Sequence, residues 1–152
     1  MAKVEVLVAC MHQKDDSLYR QMNLHSDCVL ANQCDEHSYR EYTQPDGNIV
    51  KLVSSQDRGV GKNRNKALQY ASGEFLMFAD QDMIYEDDYV QKVQEAFEKC
   101  PRADNLLITN KLPLLYYCIC PTFVPHLAIF ESKTECFLSN FLPERMNTCE
   151  VI

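Results

Sequence analysis

The sequence predicts an α/β domain with a mainly parallel sheet, and three observations carry that prediction. Short apolar runs recur at Lys3–Cys10, Cys28–Ala31, Ile49–Val53 and Phe75–Ala79. Each is too short for a helix and lacks polar alternation, which is the signature of a strand covered on both faces. The segments between them carry helical spacing, and strands alternating with helices build a parallel sheet with helices on both faces. Polar residues end three of the runs, around Cys10, around Asp35 and at Asp80 and Asp82. In such sheets ligands bind beyond the carboxyl ends of the strands, so these three ends face one crevice.

Taken in order, Val4, Val6, Leu7 and Val8 form the first strand. Asp15, Asp16 and Ser17 offer N-cap oxygens to a short helix through about Asn23, with Leu18 and Met22 at i, i+4 on one face. The second strand, Cys28 to Ala31, runs into Asn32-Gln33-Cys34-Asp35. Residues 36–48 are polar and contain Pro45-Asp46-Gly47, which signals an excursion or a hairpin tip. A third strand, Ile49 to Val53, precedes a glycine-bearing loop and a helix. There Asn63 is the expected cap, Ala67, Leu68 and Ala71 form the stripe, and Gly73 is expected at the C′ position. The strand Phe75 to Ala79 follows. Asp87 or Asp88 then caps a helix with Val90, Val93 and Phe97 on one face, stopped by Pro101.

The 152 residues suffice for one domain with a real core, and 46% apolar with 24% charged residues is ordinary globular composition. A net charge of −7 argues against a nucleic-acid or anionic-membrane surface, since both attract Lys and Arg. The N-terminus lacks the apolar core of a signal peptide, and no stretch reaches the roughly 18 apolar residues that span a bilayer. A cytoplasmic protein is therefore expected. The eight Cys form no CxxC pair or zinc spacing and read as small hydrophobes or incidental thiols. His12, His25, His37 and His126 show no ligand spacing either. Residues 106–152 differ from the rest, having no Gly but four of the eight Cys and four of the six Pro. This gives a division into residues 1–105, the α/β unit, and residues 106–152, an atypical apolar tail with two readings: irregular hydrophobic strands and turns, or a segment foreign to the domain through truncation or a frameshift. Such a tail could mediate homo-oligomer formation or peripheral membrane contact.

Asp80-Gln81-Asp82 is the main chemical signal. Two carboxylates two residues apart at a strand end can point the same way, and they repel unless a cation lies between them. Mg²⁺ or Mn²⁺ bridging to substrate phosphates suits such a pair. By itself the signal is weak, since solvated turns also favour Asp. The segment Asp57 to Asn65 invites a phosphate-loop reading, but a Walker A motif needs Gly at 56 and Ser or Thr at 63, where this chain has Gln56 and Asn63. What remains is a glycine-bearing helix start with Arg58, Lys62 and Arg64 nearby, which suits an anion, although by itself such a segment reads more simply as a solvated basic helix start.

In their order, VEVLVAC, CVLANQCD, RGVGKNRNKALQYASG and FLMFADQDM resemble the N-terminal, nucleotide-sugar-binding half of a family 2 glycosyltransferase with a Rossmann-like GT-A fold, over about residues 3–105. The resemblance implies that Asp82 ligates Mn²⁺ or Mg²⁺ on the diphosphate of a nucleoside-diphosphate sugar, most simply a UDP-sugar. It implies that Asp80 contacts the ribose, or the metal through water, and that Arg64 approaches the nucleotide. Cys10 and Met11 would then flank the base, and Asp35 would be a base or ribose contact. Where the family usually has Asp-Asp-Gly-Ser, this chain has Asn32-Gln33-Cys34-Asp35, and Gln81 replaces a frequent acidic residue.

Inverting members carry their general base and acceptor site in the second half of the domain. Glu131, Glu135 and Glu144 do not match that pattern and read as surface carboxylates, so the catalytic base is unassigned. The expected activity is sugar transfer to a saccharide or lipid-linked acceptor, as in polysaccharide biosynthesis. An inactive nucleotide-binding module is the alternative. A nucleotidyltransferase is third, because ACMHQKDD lacks the Gly-rich basic loop that class carries after strand one.

Overall fold

The computed structural model describes residues 2–99, 105–109 and 126–131. The elements run β1 (Val4–Met11), α1 (Ser17–Gln21), β2 (Asp27–Gln33), β3 (Ser38–Thr43), β4 (Ile49–Ser55), α2 (Val60–Tyr70), β5 (Phe75–Asp80), α3 (Tyr89–Lys99), β6 (Asn105–Thr109) and β7 (His126–Glu131). They form one seven-stranded sheet in the order β3-β4-β2-β1-β5-β7-β6. Every neighbouring pair is parallel except β3 with β4, which is antiparallel. The mainly parallel α/β architecture expected from the alternating runs is therefore present.

The apolar strands are covered on both faces, as their lack of alternation requires. Val6, Val8, Cys10, Cys28, Leu30, Leu52 and Met77 pack on one face with Leu18 and Tyr19 of α1 and Val93, Ala96 and Phe97 of α3. Leu7, Val29, Ala31, Val53 and Leu76 pack on the other against Ala67 and Leu68 of α2. Adjacent residues of β1 and β2 thus enter opposite cores, as a period of 2 dictates. On α3 the ring of Phe97 stacks on Phe75, centroids 4.2 Å apart. Pro45-Asp46-Gly47 does turn a hairpin, with Gly47 at φ +86° and Gln44 N–H donating to Asn48 C=O at 2.8 Å.

Two local expectations were met differently. Helix α2 begins at Val60, three residues before Asn63, behind Gly59 at φ +107°. Only glycine adopts that backbone readily, so the loop can enter the helix abruptly there. Asn63 is accordingly inside the helix rather than capping it. Gly73 is not a C′ residue either, because α2 ends at Tyr70 with Ala71 already extended at ψ 142°. A Cβ at Gly73 would lie 2.6 Å from Glu5 Cβ, so close packing on β1 selects glycine.

Glu5 itself is fully buried and accepts hydrogen bonds from Lys51 Nζ at 3.0 Å, from Gly73 N–H at 2.6 Å and from Ser72 N–H. Lys51 also donates to Tyr70 C=O at 2.9 Å, satisfying a carbonyl that the end of α2 leaves open. This cluster fixes the route from α2 to β5, and with it the starting point of the strand that ends in Asp80.

Of residues 106–152, the described segments are 106–109, within β6, and β7. Both add parallel strands to the β5 edge of the same sheet. Glu135 and Glu144 lie outside the described residues. Among the described residues no helix is long and apolar enough to cross a membrane.

Candidate functional site

Because β1, β2, β4 and β5 are parallel, their carboxyl ends rise on one side of the sheet. Register sets Ala9 beside both Ala31 and Asp80, and Gln33 beside both Met11 and Ser55. At that edge lies a cavity of about 390 Å³ lined by Ala9, Cys10, Met11, Gln33, Val60, Asn63, Asp80, Gln81 and Asp82. The walls therefore come from the ends of β1, β2 and β5 and the first turns of α2.

Helix α2 is fastened to the strand ends by a buried asparagine. Asn63 Nδ2 donates to Cys10 C=O at 2.9 Å and to Ala31 C=O at 2.7 Å, bridging β1 and β2. Its Oδ1 is buried and makes no hydrogen bond. Gly59 N–H donates to Gln33 Oε1 at 3.0 Å, so the helix start is also tied to β2. The sequence carried a signal for this role: Asn63 sits four residues before Ala67, a polar residue on the apolar stripe. Asn32 plays a similar part behind the cavity. It accepts from Gln13 N–H at 2.9 Å and donates to Gln13 C=O and Ser54 Oγ, both at 2.9 Å, which folds the loop after β1 back over β2.

Asp80 and Asp82 line the same cavity, as their spacing suggested. Asp80 accepts from Arg64 Nη2 at 3.0 Å, and the Arg64 guanidinium lies 5.9 Å from the centre of the Phe78 ring. Gln81 Oε1 accepts the N–H of Met11 at 3.0 Å, clasping the Asp80–Asp82 turn to the end of β1. Beyond the turn, Tyr85 N–H donates to Met22 C=O at 2.9 Å and Asn23 Nδ2 donates to Tyr85 C=O at 3.0 Å, so the loop leaving the site is anchored on the α1 side.

Cys10 belongs to the wall but spends its thiol inside the core, where Sγ donates to Ala31 C=O at 3.3 Å. Burial first, and the neighbouring Cys34 second, push that thiol up to about 12, so it stays protonated. Met11, 46% exposed, and Val60, 48% exposed, give the cavity an apolar rim. Asp35 is placed elsewhere: it is exposed, pairs with Arg58 at 2.5 Å, and is not among the lining residues. Gln33, two residues earlier, occupies the β2 end of the cavity instead.

Two carboxylates at one cavity are hard oxygen donors of the kind Mg²⁺ and Mn²⁺ take. Among the described residues there is no cluster of three or more His, Cys, Asp or Glu able to hold a metal by themselves. Asp80 and Asp82 thus match a hard cation in donor type, but they supply only part of the ligands it takes.

Comparison with known proteins agrees with this architecture. The family described as "Glycosyl transferase family 2" matches residues 16–109. The "Putative glycosyltransferase EpsH" of Bacillus subtilis (strain 168) is 38% identical over 53 residues, which is 35% of this chain and 15% of that protein. The match thus spans only a small part of that relative's length. No solved structure gives a significant match.

Proposed function

The chain belongs to glycosyl transferase family 2, and from that premise we propose that residues 1–105 bind a nucleoside-diphosphate sugar, a UDP-sugar, for transfer of the sugar to a saccharide or lipid-linked acceptor. The observation that carries the reading is the meeting of Asp80 and Asp82 with the ends of β1 and β2 and the start of α2 around one cavity. Asp82 and Asp80 would hold Mn²⁺ or Mg²⁺, which when bound would supply Lewis-acid relief of the charge on a departing nucleoside diphosphate.

The chain's own residues do the rest of the binding. Met11 and Val60 offer apolar surface at the rim for a nucleobase, beside the polar ends of Gln33 and Gln81. Asn63 keeps α2 seated on the strand ends, which keeps Arg64 within reach of Asp80. Arg64 is then close enough to the turn to meet an anionic group there, and a guanidinium matches phosphate oxygens well. Calorimetry with UDP and Mn²⁺ tests the reading: metal-dependent binding by wild type and its loss in Asp82→Ala are expected. Equal binding by both proteins removes the claim.

One observation favours a second reading, a donor-binding module that performs no transfer by itself. Among the described residues, Asp80 and Asp82 are the acidic groups that line the cavity, and the donor-binding reading uses both. Transfer to an acceptor needs a further base. Release of free UDP from a UDP-sugar in the presence of acceptor separates the readings, since the module binds donor without turnover.

A further inference from the structure

The Arg64–Asp80 pair sits where the proposed cation would be held, and it raises the question of what neutralises these carboxylates before any ligand arrives. Arg64 Nη2 reaches Asp80 Oδ1 at 3.0 Å, with Asp80 53% and Arg64 32% exposed. The Arg64 guanidinium is braced by the Phe78 ring at 5.9 Å, and its Nε is buried with no hydrogen-bond partner. One donor of the guanidinium is therefore spent on Asp80 and another is unused. Counting Asp80, Asp82 and Arg64, the turn carries a net single negative charge, and no cluster of three metal-binding side chains exists among the described residues.

We propose that Arg64 is the resident counter-cation of Asp80 and makes entry of a divalent cation conditional on a nucleoside diphosphate. The inference rests on the donor-binding reading above. In the nucleotide-free protein a divalent ion approaching Asp80 meets the Arg64 charge, and the two carboxylates alone supply too few ligands for it. A diphosphate changes both terms. Its oxygens complete the coordination that Asp80 and Asp82 begin, and they give Arg64 an anionic partner in place of Asp80. Nucleotide and metal then enter as a pair, and a cation alone does not occupy the turn.

The test is Mn²⁺ binding to the full chain without nucleotide, read from the loss of the free-ion electron paramagnetic resonance signal. Wild type and Arg64→Lys, which keeps the charge, are expected to bind weakly. Arg64→Gln is expected to bind about tenfold more tightly, the Coulomb effect of removing one unit charge beside a divalent ion at a water-exposed site. Equal Mn²⁺ affinity of Arg64→Gln and wild type, with metal-dependent UDP binding by wild type intact, overturns this inference alone. Absence of UDP binding by wild type removes the donor-binding reading and takes this inference with it. Should Arg64→Gln not fold, the Nε–Hε resonance of Arg64 in ¹⁵N-labelled wild type, assigned with Arg64→Lys, decides. A shift with UDP and Mg²⁺ but not with Mg²⁺ alone supports the proposal, and the same shift with Mg²⁺ alone overturns it.

Discussion

Replacing Asn63 by Ala tests the joint on which the site depends. The side chain is 4% exposed, and its amide N–H groups are donated to Cys10 C=O and Ala31 C=O at 2.9 and 2.7 Å. Truncation removes both bonds and leaves two carbonyls with fewer partners in a dry environment. Each such loss costs about 1–2 kcal/mol. Against this, Asn63 Oδ1 is already buried without a partner, and deleting it relieves about 1 kcal/mol. Ala31 C=O also keeps the Cys10 thiol as a donor, which holds its loss at the low end of that range. The balance is a destabilisation of about 2 kcal/mol. With a urea slope on the order of 1–3 kcal/mol per molar, the unfolding midpoint falls by roughly 1 M at unchanged slope. Asn63→Leu serves as the control, since it fills the volume but cannot donate. If both variants unfold within about 0.3 M of wild type, the bridge between α2 and the strand ends contributes nothing and the reasoning fails.

Further outcomes are expected from the core and from the turn after α2. Cys10 and Cys28 are buried and Cys34 is half-exposed, so iodoacetamide at pH 8 should label Cys34 while sparing the other two, read by peptide mass spectrometry. Labelling of Cys10 at the rate of Cys34 would contradict its placement in the core. Burial raises the Cys10 thiol from 9.0 to about 12, so its folded form keeps the proton after the unfolded form has released it. Its contribution to stability is therefore fully present below pH 9 and is lost as pH rises from 9 towards 12, by up to about 1.4 kcal/mol per pH unit. Unfolding midpoints that do not fall over that interval would refute the assignment. Gly73→Ala places a methyl 2.6 Å from Glu5 Cβ and 3.2 Å from Lys3 C=O, and should cost about 1–3 kcal/mol in thermal or urea unfolding. A neutral effect there would show that the contact between the α2–β5 link and β1 is loose.

The sequence by itself determined the kind of domain and the edge of the sheet at which polar residues gather. Unbroken apolar runs at β1, β2, β4 and β5 require cover on both faces, and the polar residues after them mark one edge, so the parallel sheet and the Asp80–Asp82 cavity were legible from local pattern alone. The Pro45-Asp46-Gly47 turn was legible for the same reason, since a turn is encoded by the residues that make it. Tertiary structure decided which groups meet at that edge. Asn63 reads locally as a cap, but it lies against two carbonyls supplied by strands 32 and 53 residues away in sequence, and no local pattern reports that. Gly73 looks like a helix terminator, yet its reason for being glycine is the Glu5 Cβ packed against it. Asp35 carries the charge expected of a ligand contact, but the register of β2 brings Gln33 to the cavity and leaves Asp35 outside, paired with Arg58. Periodicity and turn chemistry are set by neighbours in the chain. Register, strand order and the pairing of Arg64 with Asp80 are set by long-range packing, and only the folded structure fixes them.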